Sequence, residues 1–329
     1  MKFKFGKIEN IVILGYSPLI SDFININKDL GIKSFLITSA DQKKKINQDI
    51  DFKVFDKLDK NFKNFISKKF TIKKTLFISL SARWIFKKDI INFLKKHLIN
   101  FHSSRLPFFK GGATFSWQIL AEDRIHNQCI HFITENVDAG EIIENNTSIF
   151  PNWCKIPRDY ENYDLDRLKI FYKSFIKKIN NQTTFEITKQ AKNYGSYYPR
   201  IFAPKDGWID WNEKGRNIYN FINSMDDPYD GAKTSLNSHI VKIKKVEIHK
   251  GNSISNSFAS GLIIKKNNFW IEINCSDGYS LLVQEVLDKN NKNFFNKVKI
   301  GDRLVTPMSK LYDAKLKRSK FNVNGFKSL

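Results

Sequence analysis

Short blocks of consecutive apolar residues punctuate the first third of the chain. "NIVILG" (10–15), "SFLIT" (34–38) and "TLFISLS" (75–81) each stop at a glycine or a polar residue. Runs of this length suit strands buried on both faces, whereas helices need longer patterned stretches. Between them the spacing turns helical, most clearly in "KDIINFLKKHL" (88–98). Strands alternating with helices predict an α/β layer on a parallel sheet. Beyond it, "SWQILAEDR" (116–124) reads as a helix and "CIHFITENV" (129–137) as a strand running into "DAGEII". A lysine-rich amphipathic helix at "DLDRLKIFYKSFIKKI" (164–179) closes this region, and the aromatic "YGSYYPRIFAPKDGWIDW" (194–211) crosses away from it. After a helix at "GRNIYNFINSM" the pattern changes to "HIVKIKKVEIHK", "SGLIIKK", "FWIEIN" and "YSLLVQEV", short strands separated by turn signals. These predict a small β-barrel or sandwich, so the chain divides into residues 1–203 and 204–329.

One stretch carries chemistry within this pattern. In "LINFH" (98–102), alternation sends Ile99 and Phe101 to a core and Asn100 and His102 to the opposite face. The chain then breaks into "SSRLPFFKGG", and Asp138 lies where the next apolar run ends. Ligands of open α/β sheets gather outside the carboxyl ends of the strands. A neutral imidazole accepts a proton, an amide N–H holds a developing oxyanion, and a carboxylate orients the imidazole. The trio suits acyl transfer to a nucleophile that the substrate brings. Taken alone, Asn-x-His is a common turn. The first strand–helix turn, "GYSPLIS", lacks GxGxxG, which disfavours a nicotinamide or flavin enzyme.

Composition narrows the classes. The 329 residues are 41% hydrophobic and 27% charged, ordinary for a globular protein with a sizeable core. No run of eighteen apolar residues predicts a membrane span, and the N-terminus lacks a secretory pattern, so a cytoplasmic protein is expected. Cys129, Cys154 and Cys275 are few and without CxxC, and read as reduced thiols. Six ungrouped histidines argue against a metal. The formal charge of +22 comes mostly from lysine scattered among Asn, Ile and Phe. It reads as a solvated surface that favours anionic small substrates, not as a nucleic-acid face, and the lysine runs at 43–45 and 244–245 belong to it.

"NFHSSRLPFFKGG", followed by "VDAGEII", resembles the folate-dependent formyltransferases in order and spacing. "YYPRIFAPKDGWIDW", "INSMDDPYDGAKT" and "GYSLLVQEV…KIGDRL" are similar to the C-terminal domain of the same enzymes. The resemblance implies a Rossmann-like N-terminal formyltransferase domain and a smaller OB-like β-barrel. It also implies Asn100, His102 and Asp138 as the catalytic trio, N10-formyltetrahydrofolate as donor with tetrahydrofolate as product, no metal, and a primary amine as acceptor. The pterin would lie against Ser81, Arg83, Trp84 and Ile85 in "SLSARWIF", with Asn136 and Val137 in "ENVDAG" covering its other side. Ser103, Arg105, Lys110, Gly111, Gly112, Trp117, Tyr198 and Arg200 would face the acceptor. Family members usually carry Arg where this chain has Lys110 and Pro where it has Thr114.

Two acceptors fit the resemblance: a nucleotide-linked amino sugar, carried by UDP or dTDP, and the methionine of an initiator tRNA. "TFSWQIL" after the glycine pair looks more like the sugar enzymes, and "SADQKKKINQDIDF" (39–52) lacks the prolines of the tRNA enzymes' insertion. A nucleic-acid partner is expected only under the tRNA reading, or if the chain is a non-enzymatic basic scaffold binding RNA. A dimer through the barrel's exposed strands stays open.

The remaining residues have plainer readings. His97 reads as solvated at a helix end, His131 as structural, and His126, His239 and His249 show no partner pattern. Trp117 fits a core or a sugar-side wall equally. Tyr197, Tyr198 and Arg200 fit either a stack and fork for a diphosphate or an aromatic staple between domains. Trp208 and Trp211 read as domain packing.

Overall fold

The computed structural model describes the whole chain except residues 47–49, 192, 252, 317–318, 323–324 and 328–329. The expected first strands are β1 (Asn10–Gly15), β2 (Lys33–Thr38) and β4 (Thr75–Leu80), with β3 (Phe52–Val54) added. With β5 (Leu98–His102), β6 (Ile125–Phe132) and β7 (Ile142–Ile149) they form one sheet, ordered β3-β2-β1-β4-β5-β6-β7. The first five are mutually parallel; β6 runs antiparallel to β5, and β7 antiparallel to β6. The expected parallel sheet is therefore mixed. β6 ends at Phe132, short of the expected 137, and a plain loop leads to β7. A loop that short reaches only an antiparallel neighbour, because a parallel one needs a long crossover.

Helices cover both faces. On one side α1 (Ile20–Asp29) and α5 (Pro157–Asn180) bury Phe23, Phe171, Tyr172 and Phe175 against Ile11, Ile13, Ile99, Phe101 and Ile130. On the other, α2 (Lys60–Lys69) and α3 (Lys88–Leu94) pack Phe62, Ile66 and Ile90 on Val12, Leu14, Phe77 and Leu98. Helix α5 starts about two turns before the expected Asp164. Pro157 suits its first turn, and the Asp159 carboxylate accepts the N–H groups of Lys155 (2.9 Å) and Ile156 (3.2 Å). Helix α4 (Thr114–Leu120) ends earlier than the expected 124.

Six strands make the second sheet: β8 (Ala232–Leu236), β9 (His239–His249), β10 (Ile263–Lys266), β11 (Ile271–Asn274), β12 (Ser280–Asp288) and β13 (Leu304–Val305). Their order is β10-β11-β12-β9-β8-β13, and every neighbouring pair is antiparallel. Hydrogen bonds from Leu304 N to Gly261 O (2.8 Å) and Ile263 N to Asp302 O (2.9 Å) draw its two ends together into a half-barrel. Helix α6 (Gly215–Ser224) fills it with Ile218 and Ile222, beside Trp211, whose Nε1–H donates to Thr234 Oγ1 at 2.9 Å. Lys244 corrects the expected solvated run: it is buried, its ammonium between Asp226 (3.3 Å) and Asp227 (2.5 Å). Ser116 of α4 donates to Ser224 O (2.9 Å) and Arg158 N to Asp227 O (2.8 Å), fastening this region to the first. Among the described residues no helix is long and apolar enough to cross a membrane.

The α1–α5 interface gives a stability test. Tyr172 stacks on Phe23 with centroids 4.0 Å apart and donates its hydroxyl to Asn27 Oδ1 at 3.0 Å. Phe23→Ala is expected to cost about 3–5 kcal/mol through the cavity it leaves. Tyr172→Phe is expected to cost about 1–3 kcal/mol by stranding the Asn27 oxygen. Urea unfolding of the two variants checks both values and their order.

Candidate active site

Strand β5 sits between parallel β4 and antiparallel β6, with Asn100 opposite His131 and His102 opposite Cys129. Ile99 and Phe101 are buried in the α1–α5 core, so Asn100 and His102 emerge together on the other face, as the alternation requires. Asn100 Nδ2 lies 3.1 Å from His131 Nε2, and His131 Nδ1 lies 2.8 Å from the Phe132 carbonyl. His102 Nε2 is buried, has no hydrogen-bond partner among the described residues, and lies 3.7 Å from Asp138 Oδ2. Asp138 Oδ2 accepts the Gly111 N–H at 2.9 Å, while its Oδ1 stands 3.7 Å from His131 Nε2. The carboxylate is thus held among two imidazoles and a backbone donor.

Two loops bring Asp138 there. The loop after β6 turns through Asp138 itself, at φ +50°. Gln190 clasps it by donating to the carbonyls of Asp138 (2.9 Å) and Gly140 (2.7 Å). Opposite, Lys110 and Gly111 pair in parallel with Tyr197 and Tyr198. A Cβ on Gly111, at φ +105°, would stand 2.1 Å from Tyr198 O, so only glycine delivers that N–H to Asp138. Tyr198 stacks on Phe109 (5.4 Å) and packs tilted against Trp117 (4.9 Å), and Trp117 Nε1–H donates to Pro199 O at 2.8 Å. Arg200 lies across Gly112, its Nε 3.2 Å from where a Cβ would stand.

The structure sorts the other expected residues. Ser81, Ile85, Asn136 and Val137 are exposed on the loops after β4 and β6. Arg83, after β4, is paired with Asp41 at 2.9 Å. Trp84 is core: its ring is buried with Phe62 and Ile66 and its Nε1–H donates to Phe55 O at 3.2 Å. Ser103 donates to Asp164 of α5 (2.8 Å), and Arg105 binds Asp123 (3.1 Å), so both are engaged away from the trio. Residues 47–49 of the "SADQKKKINQDIDF" stretch lie outside the described residues.

Three histidines depart from expectation. His97 is half-buried rather than solvated, its Nδ1 3.1 Å from Thr75 O, and burial lowers its pKa. His126 has partners, Asp164 at Nε2 and Ser148 at Nδ1, both at 2.9 Å. His131, read as structural, stands in the site. Burial pushes its pKa down to about 4, outweighing the nearby Asp138 charge, so the ring is neutral. Gln190 and His131 are the site residues that sequence reasoning missed. The available signal was His131's odd-numbered place on β6, facing Asn100 once the strands pair antiparallel.

Two family models match the chain, "Formyl transferase" over residues 38–153 and "Formyl transferase, C-terminal domain" over 202–296. The mixed sheet with the half-barrel after it is the formyltransferase fold. The chain belongs to the formyl transferase family. It is 27% identical over 267 residues to the bifunctional polymyxin resistance protein ArnA of Wigglesworthia glossinidia brevipalpis, with 78% of this chain covered. It spans only 38% of ArnA's length. It is 28% identical over 232 residues to the methionyl-tRNA formyltransferase of Fusobacterium nucleatum, covering 67% of this chain and 71% of that protein. Its fold is similar to that of WlaRD, a sugar 3N-formyl transferase solved in the presence of dTDP and 5-N-formyl-THF. The TM-score is 0.65 at 21% identity, covering 85% of this chain and 98% of that one.

Cys129 lies directly across from His102, so its reactivity bears on the chemistry. Burial, then the Asp138 charge, push its thiol up to about 12; burial also raises Cys154 to about 11 and Cys275 to about 12. A thiol is nucleophilic as the thiolate, so none of the three is expected to serve as one. Native protein should resist a thiol-exchange reagent, whereas urea-unfolded protein should react promptly at all three cysteines. Fast labelling of native Cys129 would contradict the assigned burial.

Proposed function

We propose that the chain moves the formyl group of N10-formyltetrahydrofolate onto the primary amine of a nucleotide-linked 4-amino sugar, carried by UDP or dTDP. The observation that carries this reading is the buried Nε2 of His102, without a hydrogen-bond partner among the described residues, beside Asp138 and the Asn100 amide. Asn100 would hold the formyl oxygen as the amine attacks. His102 would take the amine's proton, Asp138 would orient the imidazole and stabilise its charged form, and the proton would pass to N10 as the bond between N10 and the formyl carbon breaks, releasing tetrahydrofolate. Apolar surface on Ile85 and Val137, exposed on the loops after β4 and β6, supports a pterin there, with Ser81, Arg83 and Asn136 at its edges.

The Phe109–Tyr198–Trp117 cluster beside Gly111 and Gly112 supports a sugar acceptor, with Lys110 and Arg200 as cations for its diphosphate. The fold shared with WlaRD points the same way. Residues 1–203 would form the Rossmann-like catalytic domain and 204–329 an OB-like one, in a cytoplasmic enzyme that needs no metal.

Purified chain with N10-formyltetrahydrofolate should formylate a nucleotide-linked 4-amino sugar and release tetrahydrofolate. Efficient formylation of charged initiator tRNA with the sugars inert would establish the alternative that the methionyl-tRNA relatives represent. Salt separates the two independently: a tRNA acceptor engaging many phosphates loses affinity steeply as salt rises, a sugar diphosphate only weakly. His102→Ala should lower kcat about 10²–10⁴-fold. Asn100→Ala should lower it about 10²–10³-fold. Asp138→Asn should act with His102 as a unit, so the double variant loses far less than the product of the single losses. A near-normal kcat in His102→Ala would remove the catalytic assignment.

A further inference from the structure

We infer that His131 is a positioning residue for Asn100: it holds the amide with its nitrogen turned inward, one N–H occupied and the other kept for the formyl oxygen. The inference rests on the formyl-transfer reading of the site.

Neutral imidazole carries one N–H and one lone pair. The Phe132 carbonyl, 2.8 Å from Nδ1, can only accept, so the proton belongs on Nδ1. Nε2 is then an acceptor, and the atom of Asn100 that can face it at 3.1 Å is the amide nitrogen, not the oxygen. The tautomer of one side chain therefore fixes the rotamer of another. With a proton on Nε2 the ring would turn to Asp138 Oδ1 at 3.7 Å, and Asn100 would meet it with oxygen, losing its donor orientation. Three groups compete over that proton. The Asp138 carboxylate and the Phe132 carbonyl favour a charged ring, while complete burial and the neighbouring His102 oppose it. Burial dominates, so the acceptor is present at neutral pH. His131 touches no reacting atom in this scheme, and its effect passes through Asn100.

The first test reads the ring without any substrate. In the ¹⁵N-labelled 329-residue chain at neutral pH, His131 should show a protonated Nδ1 and an unprotonated Nε2. An Nε2–H tautomer or an imidazolium would overturn the inference whatever the enzyme's activity.

The second test is kinetic, with the proposed sugar acceptor. His131→Leu removes the acceptor and should lower kcat about 10–100-fold through misplacement of Asn100, with KM for the folate donor little changed. His131→Gln retains an acceptor oxygen near the Nε2 position and should recover most of that loss. In the Asn100→Ala background, adding His131→Leu should cost less than about threefold, because the residue it positions is gone. Full additivity, or equal losses in the Leu and Gln variants, would assign His131 a different role. Should His131→Leu fail to fold, His131→Phe, which also lacks the acceptor, replaces it in the same cycle, and the tautomer measurement stands in either case. A chain that formylates nothing defeats the functional reading and leaves the tautomer measurement standing.

Discussion

Leu98–His102 has to satisfy two sheet partners and two faces at once, and the rest of the site depends on how it does so. Its apolar members, Ile99 and Phe101, are fixed by the α1–α5 core. That commitment leaves Asn100 and His102 no choice but the opposite face. Antiparallel pairing with β6 then sets which side chains they meet, His131 across from Asn100 and Cys129 across from His102. A one-residue slip would turn every one of these side chains over. Burying two large apolar residues therefore sets the register, and the register sets the chemistry.

The third member of the cluster comes by a different route. Asp138 belongs to a loop, and loops lack the mutual support that fixes a strand. Its place is secured by Gln190 on its backbone side and by the Gly111 N–H on its carboxylate side. Both partners come from segments distant in sequence, so the loop ties together the regions before and after the long helix α5. Behind the strand, Asp164 of that helix accepts from Ser103 and from Gln128 and is joined to His126. The end of β5 is thus braced from both faces, apolar packing with a polar anchor on one and the site on the other.

Much of this was legible locally. The apolar runs of the first strands and the alternation at Ile99–His102 depend on nearest-neighbour pattern, and those strands appear where expected, whereas Asp138 lies on a loop beyond β6, which stops at Phe132. What was not legible depends on partners far along the chain. His131 carries the same alternation as any buried strand residue, and only the antiparallel placement of β6 brings it to Asn100. Lys244 looked like a solvated lysine because Asp226 and Asp227 reach it from a distant turn. Trp84, at a strand–helix junction, resembled a ligand wall, yet α2 covers it. The start of α5 was missed because Pro157 and Asp159 signal a helix before any amphipathic stripe begins.

The central claim is that Asn100 and His102 bracket the reacting carbon. It is tested most directly by a crystal structure of the chain with a stable formyl-folate analogue and the amino-sugar nucleotide both bound. The formyl oxygen should stand within hydrogen-bond reach, about 3 Å, of Asn100 Nδ2. The acceptor nitrogen should stand about 3–3.5 Å from the formyl carbon, with His102 Nε2 in reach of its proton. A folate whose formyl group lies away from both side chains, or an amine held on the far side of Asp138, would contradict it.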